Sequence, residues 1–237
     1  MLIRFYDVTK VYPSGAAGLL SVNTFIRQGE FVFLVGPSGA GKTTFLRLLT
    51  REIVPTRGQV LLNGRNITRL RPTEVPYLRR TVRMIFQDFK LLPNKTVHDN
   101  VAFALMVTEK PRRQIFPLVK EALKLVGLES KAMLYPGELS GGEQQRVSIA
   151  RAIVGEPTVL LADEPTGNLD METSWDIMDV LLRVNKRGTT VIMSTHNVAI
   201  VDELRRRVIQ LDQGRIVRDD ERGVYEGEAE YNAVLPG

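Results

Sequence analysis

A chain of 237 residues, 43% hydrophobic, is long enough to bury a substantial core as one domain with an inserted lobe. It contains no cysteine, which excludes disulfides and cysteine-ligated metals and suits a reducing compartment. Its formal net charge of +5 favours approach to anionic lipid or nucleic acid, while apolar runs such as Phe31 to Val35 fall far short of the ~20 residues a membrane helix needs.

Met1 to Val8 runs straight into strand-like alternation, which leaves no room for a secretory signal. Tyr12 reads as a half-buried strand tyrosine. The apolar run Phe31 to Val35 reads as a core strand, followed by Gly36-Pro37-Ser38-Gly39-Ala40-Gly41-Lys42-Thr43 and a helix-like stretch from Thr44 to Leu49. This is a complete P-loop with both flanks correct. Glycines let consecutive backbone N–H groups converge on phosphate oxygens, and the helix points its positive end at them. Lys42 is placed to reach the terminal phosphates of ATP, and the Thr43 hydroxyl to ligate Mg²⁺.

Gln59 to Leu62 leads into the turn pair Asn63-Gly64, which predicts a hairpin. Arg79, Arg80 and Arg83, like Arg205 to Arg207, read as solvated helix faces. Val82 to Phe86 is strand-like and ends at Gln87. From Asp88 to Glu156 the pattern turns helical, with Ile115, Leu118, Val119, Ala122, Leu123 and Val126 on one apolar face. Phe89, Leu91 and Leu92 fall in what should be an exposed connecting loop, where they either dock a partner or anchor the helical lobe. His98 reads as a surface residue.

Ser140 and Glu143 form a capping box with two glycines, Gly141 and Gly142, between them, which leaves bare N–H groups at a helix start. Val159 to Ala162 reads as a buried parallel strand ending in Asp163 and Glu164. Alternation along a strand aims these two acids differently, so Asp163 is assigned to the Mg²⁺ shell and Glu164 to polarising the attacking water. Trp175, Met178, Leu181 and Leu182 share helical spacing and read as core. The strand Thr190 to Ser194 precedes His196, and Val208 to Leu211 with Arg215 to Val217 flank a closing hairpin at Asp212-Gln213-Gly214. Residues 228–237 read as a disordered tail.

At these motifs the chain resembles the ATP-binding cassette superfamily. The resemblance implies an α/β fold: a P-loop nucleotide-binding core (1–87 and 157–227), an antiparallel β subdomain and an inserted helical subdomain (88–156). It implies that ATP is bound by Tyr12, which stacks on adenine, by Gly36, Pro37, Ser38, Gly39, Ala40, Gly41, Lys42, Thr43 and Thr44, and by Gln87. Mg²⁺ is ligated by Thr43, Asp163 and Gln87, the last of which also senses the γ-phosphate. Ser140, Gly141, Gly142 and Glu143 bind the γ-phosphate of ATP held by a second copy, so a homodimer sandwiches two nucleotides. Asn168, Leu169 and Asp170 signal between protomers, and His196 is the switch histidine. Catalysis is carried by Glu164, His196 and Lys42.

The flanking words narrow the match. Gly29 to Lys42, Phe86 to Pro93, Asn100 to Ala104 and Gly214 to Asp219 resemble the FtsE group of bacterial cell-division ATPases. That resemblance implies a peripheral protein on the cytoplasmic face of the cell membrane at the division site. It implies an FtsX-like membrane partner docked near Phe89, Leu91 and Leu92, and an output that reaches peptidoglycan hydrolases; FtsZ is a further contact it raises. Two positions depart from common cassette usage: Glu143 stands where many carry glutamine, and Asn197 follows His196 where aspartate is more usual. A lipoprotein-release or macrolide-efflux transporter ATPase is the alternative. With neither sustained heptads nor cysteines, no nucleic-acid partner is expected.

Overall fold

The structure, a computed structural model, describes residues 1–225. The tail 228–237 lies outside the described residues. In chain order the strands and helices are β1 (Ile3–Val11), β2 (Ala17–Ile26), β3 (Phe31–Val35), α1 (Lys42–Leu49), β4 (Arg57–Leu62), β5 (Arg65–Asn66), α2 (Val75–Thr81), β6 (Val82–Ile85) and α3 (Val97–Met106). There follow α4 (Arg112–Leu125), α5 (Gly141–Ile153), β7 (Val159–Asp163), α6 (Met171–Lys186), β8 (Thr190–Ser194), α7 (Val198–Leu204), β9 (Arg207–Asp212) and β10 (Arg215–Asp220). The chain divides into two compact units, Met1–Val75 with Ile192 onward and Pro76–Val191.

In the first unit an antiparallel sheet runs in the order β2-β1-β4-β5, with Ile3 opposite Ile26 on one side and Leu62 on the other. The β4–β5 turn has φ 48° at Asn63 and 77° at Gly64, the left-handed pair that a two-residue hairpin demands. Strand β3 is apolar and buried at every position and pairs in parallel with β9, which returns antiparallel as β10. Helix α1 buries Phe45, Leu46, Leu48 and Leu49, and the Phe45 ring stacks on Phe5 of β1 at 4.2 Å. Full burial of such a ring is worth about 1.5–3 kcal/mol, enough to fix the P-loop helix against the antiparallel sheet.

Arg207 departs from the solvated face expected of it. It opens β9, is 8% exposed, and donates to Asp219 at 2.8 and 2.9 Å and to Glu30 at 2.9 Å. Those carboxylates come from β10 and from the turn before β3, and they offset the cost of burying a guanidinium.

In the second unit β6 and β7 pair in parallel, Val82 with Val159 through Ile85 with Ala162. Arg83 therefore lies on a strand, not a helix; it is half-buried, its Nε lacks a partner, and burial lowers its pKa. Helix α4 buries Ile115, Val119, Ala122 and Leu123, while Leu118 is half-buried at the edge of that face. On α6 the buried stripe runs through Ser174, Ile177, Met178, Leu181 and Val184, so Trp175 borders the core half-buried instead of filling it. His98 is also half-buried, with Nδ1 3.1 Å from Asp99 Oδ1 and its ring 5.9 Å from Phe116. Among the described residues no helix is long and apolar enough to cross a membrane.

Candidate functional site

The first unit carries the phosphate loop. Gly41 caps α1 with φ 110°, and a Cβ there would lie 2.3 Å from the Gly18 carbonyl oxygen. Only glycine meets both demands. Gly41→Ala is expected to cost about 2–4 kcal/mol, the range for a strained, overpacked position. Thermal unfolding checks this: an unchanged melting temperature contradicts it.

Lys42 is buried, and its ammonium donates to Gly36 O at 2.7 Å, to Pro37 O at 3.0 Å and to His196 Nε2 at 3.0 Å. An ammonium only donates, so in this contact Nε2 is the acceptor. The structure thus joins two of the three catalytic candidates, Lys42 and His196. Thr43 is exposed in the first turn of α1, and Thr44 shares a hydrogen bond of 3.0 Å with the Tyr12 hydroxyl. Tyr12 sits one residue beyond β1 and is half-buried. A Cβ on Gly18 would lie 2.8 Å from its ring, so Gly18 makes room for the aromatic. Asn197 accepts from Ile200 N at 3.2 Å and caps α7, a role its amide oxygen fills as well as a carboxylate would.

The second unit carries the two acids and Gln87. Asp163 is the last residue of β7, and Glu164 turns the chain with φ 49° while its carbonyl accepts from Gly167 N at 3.1 Å. Both acids are half-buried. Gln87 is exposed, and its Nε2 lies 3.4 Å from Asn168 Oδ1, which brings it beside the loop after Glu164. Asp170 caps α6, accepting from Thr173 N at 2.8 Å and Thr173 Oγ1 at 2.7 Å, and these bonds hold its pKa down.

Ser140 caps α5: its oxygen accepts from Glu143 N at 3.3 Å, and the Glu143 carboxylate accepts from Ser140 N at 3.0 Å. Lys131 binds the same carboxylate and, with that backbone bond, lowers the Glu143 pKa. A Cβ on Gly142 would fall 2.2 Å from Thr173 Cγ2, and one on Gly141 would fall 3.4 Å from Leu169. The signature turn and the Asn168-Leu169-Asp170 loop are therefore in contact within one chain.

Two buried amides, Gln145 and Asn100, and the half-buried Arg151 escaped the sequence reading. Gln145 Nε2 donates to Pro165 O at 2.7 Å. Asn100 accepts from Leu92 N at 2.8 Å and donates to the carbonyls of Leu92, Lys95 and Thr96. Arg151 donates to the carbonyls of Phe89 and Lys90. The missed signal for the first two was a polar amide on the buried side of a helix, such as Asn100 beside Val97, Val101 and Ala104. The loop after Gln87 is held down accordingly: Phe89, Leu91 and Leu92 are half-buried, not openly exposed.

The oxygen donors suit Mg²⁺, which is bound through one or two protein oxygens and substrate phosphates and needs no dedicated acidic cage. Among the described residues no group of three or more histidines or acids could hold a metal alone.

Residues 19–167 match the family model described as ABC transporter. The cell division ATP-binding protein FtsE of Mycobacterium tuberculosis is 56% identical over 226 residues, covering 95% of this chain and 98% of the relative. FtsE of Streptococcus pneumoniae is 51% identical over 224 residues, covering 94% and 97%. Among solved structures, the ATP-binding cassette MJ0796, a dimer in a post-hydrolysis state bound to ADP and Pi, aligns with a TM-score of 0.84 at 34% identity, covering 94% of this chain and all of that one.

Proposed function

We infer function from kinship and site together: the chain belongs to the ABC transporter family, in its FtsE group of cell-division ATP-binding proteins, and it is an ATP hydrolase. The observation that carries this reading is identity of 51–56% over nearly the whole chain, with every cassette motif in place. Residues 88–156 are read as the inserted helical lobe, and 1–87 with 157–227 as the nucleotide core.

Lys42 leaves the carbonyls of Gly36 and Pro37 to meet the terminal phosphates, and His196, released from Lys42, orients the γ-phosphate. Glu164 polarises the attacking water. Thr43, Asp163 and Gln87 are the residues that would hold Mg²⁺, which would neutralise charge developing on the phosphates. Ser140 and the bare amides of Gly141 and Gly142 complete the site of a second copy, so hydrolysis requires the dimer.

ATP closes the dimer and hydrolysis opens it. An FtsX-type integral protein carries that motion across the membrane, and this chain sits peripherally on its cytoplasmic side. The output is a conformational signal to peptidoglycan hydrolases during division. Phe89, Leu91 and Leu92 form the docking patch, since they join the sensor to the helical lobe.

Phe89→Asp tests the patch. Phe89 has φ 55°, a region that aspartate tolerates better than phenylalanine, so the fold and ATP binding survive. Binding to the membrane partner is expected to fall by roughly tenfold or more, as for a central interface residue. Co-purification of the FtsX-type partner at wild-type yield, or an unfolded variant, contradicts the docking role.

A further inference from the structure

Phe89 and Lys90 have φ 55° and 47°, two consecutive non-glycine residues in the left-handed region. Side chains with a Cβ enter that region reluctantly and usually singly. Something must hold the turn. The Arg151 guanidinium forks onto it, Nη2 donating to Phe89 O at 2.8 Å and Nη1 to Lys90 O at 2.7 Å. Burial pushes the Arg151 pKa down, and no carboxylate counters that shift. A desolvated cation is therefore satisfied by two peptide carbonyls whose orientation depends on the left-handed turn.

Arg151 stands near the end of α5, the helix whose start is the Ser140–Glu143 signature. Asn100 pins the next stretch of the same segment, through Leu92, Lys95 and Thr96. The turn closes on two backbone bonds, Phe89 N to Phe86 O at 3.4 Å and Lys90 N to Asp88 O at 2.5 Å, and the side chain that holds its carbonyls is Arg151. The Lys90 side chain contributes little there: it is 55% exposed, 4.0 Å from Asp88, and lies over the Phe86 ring.

We propose that Arg151 is a positioning residue that holds the segment after Gln87 in its left-handed turn, so that the signature helix and the sensor segment move as one piece. The proposal rests on the reading of Gln87 as the γ-phosphate sensor. It assigns Arg151 no contact with nucleotide. Its loss should therefore slow turnover without weakening ATP binding, and any change that makes the left-handed turn easy should restore turnover. Lys90→Gly is such a change, because glycine adopts positive φ without steric cost.

The test uses the purified full chain. Arg151→Met is expected to lower kcat for ATP about tenfold, a moderate loss for a misplaced catalytic constellation, with KM within about twofold of wild type. Lys90→Gly alone should stay within about twofold, and the double variant should recover at least about half of the lost rate. Hydrogen exchange should speed up at amides 88–92 in Arg151→Met and slow again in the double variant. Arg151→Lys keeps the half-buried charge but loses the planar fork, so it gives a second, conservative background for the same exchange measurement should Arg151→Met fail to fold. A double variant as slow as the single one, or unchanged exchange at 88–92, overturns the proposal. Absence of hydrolysis in the wild-type chain would remove the functional reading instead, and the exchange comparison would still decide the Arg151 contact.

Discussion

Glu164→Gln is expected to slow ATP hydrolysis by roughly 10²–10⁴-fold while leaving ATP binding near the wild-type level. The substitution keeps the size and hydrogen-bonding reach of the side chain and removes only its ability to polarise water. The turn that presents it is held by a backbone bond from Gly167 N to the Glu164 carbonyl at 3.1 Å and by the Gln145 side-chain amide, which donates to Pro165 O at 2.7 Å. Neither bond uses the Glu164 carboxylate, so the substitution leaves both in place. Single-turnover hydrolysis beside a fluorescent-nucleotide titration separates the two quantities. Hydrolysis at the wild-type rate removes Glu164 from the chemistry, and loss of binding to the same degree means that the residue serves the fold.

Ser140→Arg is expected to abolish hydrolysis while the isolated chain still binds ATP. Ser140 belongs to the second unit, and its local work is to cap α5 through Glu143 N at 3.3 Å. Losing that cap costs about 1 kcal/mol, which lowers stability modestly but does not silence an enzyme. The larger effect is on the second copy: a long cation replaces a hydroxyl where bare amides should meet a γ-phosphate. Ser140→Ala, which loses the cap alone, should keep substantial activity. Equal loss in both variants would mean that the cap accounts for the whole effect and that the signature turn does not serve another protomer.

Much of this arrangement was legible in the sequence, because it depends on local rules. The P-loop needs glycine where Gly41 has φ 110°, the hairpins need Asn63-Gly64 and Gln213-Gly214 at left-handed φ, and the capping box needs Ser140 three residues before Glu143. What escaped depends on which distant backbone approaches a side chain. Arg207 reads as one of three consecutive arginines until Glu30, from far along the chain, and Asp219, from the paired strand β10, are brought to it. Gln145, Asn100 and Arg151 bind carbonyls, and a carbonyl leaves no mark in a sequence. The exposure expected for Phe89, Leu91 and Leu92 failed for the same reason, since the grip of Arg151 and Asn100 on their loop is tertiary.

The central claim is that two copies share each nucleotide site, and the most direct measurement is light scattering on the Glu164→Gln variant. With ATP the mass should double from the 26.6 kDa of one chain, and with ADP it should return to that of the monomer. A particle of one chain under both conditions, with the membrane partner present as well as absent, contradicts the account.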